Sequence, residues 1–301
     1  MTRLVQAVWG SGAALLAMTM LFWSGSVVVG RAAADLVPPV LFTLLRWGGA
    51  LVLVLPLAWP HLRADLPALW RRRWVVLVLS LLSTVAYNIL VYRGLHQTTA
   101  VNAALMQSVM PLAILLAALA LFGERPGWRQ AMAILMSFAG VLVIVAQGSA
   151  EMLRQVRFNL GDVLILTAVV AYAVYSAVLR RRPIVHPLSL LAVMFAVGVA
   201  VLLPLAALEH GAGARLVWSG ASLLAVLYAV VFASLLATLF YNRGVGLLGA
   251  TRAGQFSNLM PVFGTVLAVL FLGETLHGYH GAGVALIGAG LLLGQPSPPV
   301  P

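Results

Sequence analysis

Of the 301 residues, 62% are hydrophobic and only 8% are charged, with a mean hydropathy of +1.05, which excludes a water-soluble domain. The net charge of +11 comes from 18 basic residues, all arginine, set against seven acids. These arginines stand between apolar stretches instead of on one soluble face among stacking aromatics, so the charge fits membrane-loop sorting and excludes a nucleic-acid partner. The chain has no cysteine, which excludes disulfides, thiolate catalysis and cysteine-ligated metal.

A hydrocarbon layer of about 30 Å needs about 20 apolar residues per helix. Apolar runs between turn and charge signals predict helices at 12–34, 38–59, 74–96, 99–122, 128–147, 160–180, 187–208, 219–246, 249–272 and 278–294. The apolar stretch up to Gly30 is too long for a signal-peptide core and is followed by Arg31, so it reads as a retained first helix. Residues 1–147 form a first five-helix half, 148–159 a link, 160–294 a second half and 295–301 a proline-rich, disordered tail. Twelve loop arginines fall on the side of the N-terminus and five opposite, which places both termini in the cytoplasm.

The halves repeat each other. Residues 93–142 align with 243–292 at a constant offset of 150 and share twelve identities, among them Pro111/Pro261, Gly123-Glu124/Gly273-Glu274 and Ala139-Gly140/Ala289-Gly290. A fainter register at 148 matches Pro39 with Pro187 and Pro56-Leu57-Ala58 with Pro204-Leu205-Ala206. Five helices per half is an odd number, so the copies sit upside down relative to each other. The expected fold is an all-α membrane protein of ten transmembrane helices, built as two inverted five-helix repeats around a central cavity.

Polar residues recur at helical spacing along several predicted spans. The first helix carries Thr19, Trp23 and Ser26, and the third carries Ser80, Ser83, Thr84, Tyr87 and Asn88. The fourth offers a small and polar stripe of Ala100, Ala103, Ala104, Gln107, Ser108 and Pro111; its copy in the ninth reads Ala250, Ala253, Gly254, Ser257, Asn258 and Pro261. Tyr172, Tyr175 and Ser176 lie on the sixth helix, and Ser234, Thr238, Tyr241 and Asn242 on the eighth. Facing lipid, such groups would stay unsatisfied, so these faces point to protein or to a wet interior. The fourth and ninth stripes read equally as close helix contacts. Tyr175 and Tyr241, nearer helix ends, fit an interface belt as well as a cavity. Pro111 and Pro261 each remove a helical hydrogen bond near mid-bilayer, as a hinge or as a static bend.

Charged groups are assigned conservative roles. Arg46, about 12 Å into the second helix, is expected to snorkel toward Asp35. Asp162 caps the sixth helix, and Glu124 and Glu274 close loops. His277 and His280 lack a third ligand, so no metal site and no cofactor are expected. Helix interiors hold no acid, lysine or histidine, so no proton-relay carboxylate is evident.

The repeat, the Gly-Glu turns, the Gly161-Asp162 pair and the Pro and Ala-Gly matches together resemble the drug/metabolite transporter superfamily. More narrowly, the chain is similar to EamA-type ten-helix exporters, and within these to bacterial aromatic amino-acid exporters. The resemblance implies an inner-membrane carrier exporting small metabolites, amino acids with aromatic or apolar side chains foremost. It also implies a central cavity with Tyr87-Asn88 and the Tyr172 region on its wall; joined with the polar stripes, the candidate lining is Trp23, Ser83, Tyr87, Asn88, Gln107, Tyr172, Tyr175, Ser257 and Asn258. Partners are then the small-molecule substrate and the lipid bilayer. Export of other drugs or metabolites is the alternative in the same fold; an integral-membrane enzyme or a non-transporting scaffold is the alternative of another class, though no clustered acids or nucleophile-base pair supports an enzyme.

Overall fold

The computed structural model describes residues 3–32, 36–98, 100–154, 157–213, 215–272 and 275–294. Among them there is no strand, and the long helices follow the predicted order. They are α1 (Gly12–Ala32), α2 (Pro39–Arg71), α3 (Arg73–Leu95), α4 (100–122), α5 (Trp128–Val145), α6 (Leu160–Val178), α7 (Pro187–Gly211), α8 (Gly220–Leu248), α9 (250–272) and α10 (Gly278–Leu293). Seven of the helices are long and apolar enough to cross a bilayer. Outward residues such as Val52, Leu116, Val170, Leu203 and Leu224 are exposed and present the apolar surface that lipid requires. Short helices at Arg3–Gly10 and, inside the expected link, Ala150–Arg154 are additional. The tail 295–301, Asp35, Gly273 and Glu274 lie outside the described residues.

One boundary differs from expectation by more than a turn. The second helix was expected to stop at 59, yet α2 runs 33 residues through Pro56, Pro60 and Pro67. These prolines stand four and seven residues apart and are all exposed, so the lost hydrogen bonds fall on one outer face and leave the packed face continuous.

Packing follows the repeat. α5 lies along α10 and α2 along α7, while α1 packs on α8 and α9 just as α6 packs on α3 and α4. Exchanging the halves maps α5–α10 and α2–α7 onto themselves and the contacts of α1 onto those of α6, as a two-fold repeat demands. Trp47 of α2 and Phe195 of α7, 148 residues apart, meet with ring centroids 5.0 Å apart. In the α5–α10 contact, a Cβ on Gly140 would come within 2.7 Å of the Gly283 carbonyl oxygen, and one on Gly290 within 2.7 Å of the Ala133 carbonyl oxygen. Since 133 and 283 are also equivalent, both halves depend on the same close approach of backbones.

Irregularities repeat too. A widened π turn occupies Leu81–Ala86 in α3 and Ala229–Leu236 in α8, starting 148 residues apart. Asn88 Nδ2 donates to the carbonyls of Ser83 (2.9 Å) and Thr84 (3.2 Å) in the first of these turns. Regular α geometry is interrupted at Val109 in α4 and over Phe256–Asn258 in α9, just ahead of Pro111 and Pro261. Each proline lacks the N–H that would bond the carbonyl four residues earlier, at Gln107 and Ser257. Gly123 ends α4 with a φ of 68°, a left-handed turn that favours glycine.

Candidate functional site

Four helices bring an aromatic cluster into the middle of the bundle. Tyr172 of α6 is its hub, with ring centroids 5.7 Å from Trp23 of α1, 5.0 Å from Tyr87 of α3, 5.1 Å from Tyr175 and 5.4 Å from Tyr241 of α8. Such edge and tilted contacts are worth about 0.5–1.5 kcal/mol each beyond burial. The polar ends are partnered: Trp23 Nε1 donates to the Ala233 carbonyl at 3.1 Å, Ser176 Oγ and Tyr241 OH are 2.7 Å apart, and Tyr175 OH donates to Asn242 Oδ1. Tyr87 OH reaches toward Gln107 Oε1 at 3.5 Å.

Of the nine predicted lining residues, Trp23, Tyr87, Tyr172 and Tyr175 therefore meet, with Asn88 and Gln107 beside them. Ser83 and Ser257 turn their hydroxyls onto their own helices, donating to the carbonyls of Leu79 and Gly254 at 2.7 Å each. Asn258 is buried in the interrupted turn of α9, with Nδ2 unpartnered. Tyr241, left between belt and cavity in the sequence, sits in the cluster because the widened turn of α8 rotates its face inward.

On one side of the cluster lies Arg46, and here the sequence expectation is corrected. Arg46 turns into the bundle: Nε donates to Ser234 Oγ (2.9 Å), Nη1 to Asn88 Oδ1 (3.2 Å) and Tyr92 OH (3.4 Å), and Nη2 to the Ala233 carbonyl (3.3 Å). Its guanidinium also lies 5.0 Å from the Trp47 ring. The wide turn of α8 and the amide of α3 supply acceptors within reach, whereas an outward path along lipid offers none.

On the opposite side a cavity of about 640 Å³ opens among the loops that follow α4, α6 and α8. Both halves contribute to its wall: Ala118, Phe122 and Glu124 from the first, Arg180, Arg182, Leu190, Asn242, Arg243 and Ala250 from the second. Asn242 is the junction, lining the cavity and holding Tyr175 of the cluster. Glu124 is ion-paired with Arg180, so it clasps the α4 turn to the end of α6. Burial, with Arg243 acting in the same direction and Tyr175 against it, lowers the Arg182 guanidinium from its ordinary value. The sequence flagged Asn242 as one of a stripe and the arginines only as a topology signal, because no local pattern shows that 180–182 folds back against 242–246.

Two further groups have structural duties. Asp162 accepts from Thr98 Oγ1 (2.5 Å), Asn102 Nδ2 (3.0 Å) and the Asn159 backbone N–H (2.9 Å), capping α6 and tying it to the start of α4. His280 Nδ1 accepts the His277 backbone N–H at 3.0 Å, and among the described residues no three His, Asp or Glu side chains gather as metal ligands.

The profile of the EamA-like transporter family matches residues 10–146 and 159–294. Among curated proteins, the uncharacterized transporter YyaM of Bacillus subtilis is 30% identical over 72% of this chain and 71% of its own length. YetK of the same species, another uncharacterized transporter, is 26% identical over 92% and 84%, and an uncharacterized transporter of Archaeoglobus fulgidus 26% over 93% and 95%. A solved crystal structure at 24% identity has the same fold, with a TM-score of 0.76 over 94% of this chain and 95% of that one. Two half-length profile matches and near-full-length relatives agree with the paired helices and the open chamber: this multi-pass membrane protein belongs to the EamA-like transporter family.

Proposed function

We propose that the protein exports small metabolites from a bacterial cytoplasm across the inner membrane, amino acids with aromatic or apolar side chains foremost, by alternating access. In this reading 1–147 and 160–294 are the two repeat units, joined by 148–159, and both termini are cytoplasmic. The 640 Å³ cavity then opens to the cytoplasm, while the aromatic cluster and the Arg46 network close the opposite side.

The observation that carries the proposal is this asymmetry within a symmetric frame: a chamber at one end, and tight packing at its repeat-equivalent end. Rocking one half against the other about the interrupted turns at Pro111 and Pro261 would exchange the two ends. Tyr172 and its neighbours would part to receive an aromatic or apolar side chain, and Asn88, Gln107, Ser257 and Asn258 would offer the amides and hydroxyls that a zwitterion needs.

The test is counterflow in proteoliposomes loaded with unlabelled amino acids. Transient accumulation of external labelled phenylalanine, tyrosine or leucine is expected; no accumulation for any of a broad metabolite panel would overturn the carrier reading.

A further inference from the structure

The cavity wall holds an imbalance that transport alone does not require. It carries three arginines and one acid, and that acid, Glu124, is already occupied by Arg180. Arg182 makes no side-chain hydrogen bond or ion pair among the described residues, and it lies so close to the α8 backbone that a Cβ on Gly246 would come within 2.5 Å of its Nη2. Arg243 rests 5.7 Å from the Trp9 ring, and its buried Nε has no partner. Beside them Asn242, 7% exposed, gives Oδ1 to Tyr175 and leaves Nδ2 unpartnered. Two cations and an amide N–H thus line the same chamber, and among the described residues the Arg182 guanidinium, Arg243 Nε and Asn242 Nδ2 have no hydrogen-bond acceptor.

We propose that Arg182, Arg243 and Asn242 form an oxyanion site that takes the carboxylate of the transported metabolite. Guanidinium forks match a carboxylate, and partial enclosure strengthens the attraction relative to bulk water. Beside the Glu124–Arg180 pair, Leu239, Val185, Leu190 and Leu191 give the wall an apolar part, so the ligand is an amphipathic carboxylate with a hydrophobic body and not a bare inorganic anion. Burial lowers the Arg182 guanidinium from its ordinary value, with Tyr175 acting against this and Arg243 acting with it.

This inference rests on the carrier reading and is separable from it. Full-length protein in proteoliposomes is assayed for inhibition of labelled phenylalanine counterflow by phenylalanine, 3-phenylpropionate, phenylalaninamide and inorganic phosphate. Phenylalanine and phenylpropionate should compete, and phenylalaninamide and phosphate should compete at least about tenfold more weakly. Arg182→Gln and Arg243→Gln should each weaken the two carboxylates about tenfold or more and leave phenylalaninamide unchanged. Asn242→Asp, nearly isosteric, should weaken the carboxylates and strengthen the amide, a reversal that misfolding would not produce. Flux with equal competition by the amide, or saturation by phosphate, overturns the site while the carrier reading stands; absence of flux for phenylalanine and for every member of the broad metabolite panel overturns both.

Discussion

Arg46 Nε donates to Ser234 Oγ at 2.9 Å, which fixes the guanidinium of a residue only 7% exposed between α2 and the widened turn of α8. All its hydrogen-bond partners are neutral, and no carboxylate lies within ion-pair distance among the described residues. Dipoles from Asn88, Tyr92 and the Ala233 carbonyl replace water, much as they would around a bound ion. Arg46→Ala should destabilise the protein by about 2–3 kcal/mol, the loss of charged hydrogen bonds plus the space left behind. The repeat partner of position 46 in the 148 register is Met194, so Arg46→Met, which refills the volume, should cost less than Arg46→Ala. Thermal unfolding in micelles checks the order; equal Tm values for wild type and Arg46→Ala would contradict it.

Gly140 and Gly290 make the same prediction twice. Each faces a carbonyl oxygen of the partner helix at a distance no Cβ tolerates, so Gly140→Val and Gly290→Val should each lower stability by about 2 kcal/mol or more as α5 and α10 are forced apart. Gly288, which has open space where a Cβ would sit, is the control, and Gly288→Ala should leave Tm nearly unchanged. A large effect at 140 with none at 290 would argue against the symmetric pairing.

Much of the frame was legible because repeats, caps and turns are local. The 150-residue register placed Pro111 with Pro261 and Gly140 with Gly290, and Asp162 marked a helix start. The length of α2 was not legible: Pro60 reads as a stop, and only the exposure of all three prolines explains why the helix continues. Arg46 was misread because an isolated helix offers a buried cation only the path outward, whereas its acceptors come from α3 and α8, more than 40 and 180 residues away. The chamber arginines escaped notice for a similar reason, since their count serves topology equally well wherever they point.

His186 should make the packing of the α2 extension sensitive to acid. Its backbone N–H donates to Asp65 Oδ2 at 3.0 Å, and its ring stacks on His61 at 3.9 Å. Burial, then His61, lower its pKa, while Asp65 acts in the opposite direction. The docked state therefore binds the proton less readily than the undocked one, so docking is strongest above the ordinary histidine value of about 6.5 and weakens as pH falls from there to the lowered value. Hydrogen exchange around 61–66 and 183–188 should quicken, relative to the intrinsic rate, between pH 7.5 and pH 5.5, and His61→Gln should reduce that change. Protection that rises on acidification would contradict the assignment.

The absence of native cysteine allows the central claim, that two ends of the bundle open alternately, to be read from single cysteines without background. Leu239→Cys lies in the cavity wall; Phe42→Cys is buried on the far side, where Phe42 packs on Tyr92 at 6.0 Å. In nanodiscs, where a polar maleimide meets both faces, Leu239→Cys should label quickly and Phe42→Cys slowly, and saturating phenylalanine should slow the first while it speeds the second. Rates that both stay constant, or that move in the same direction, would contradict alternating access.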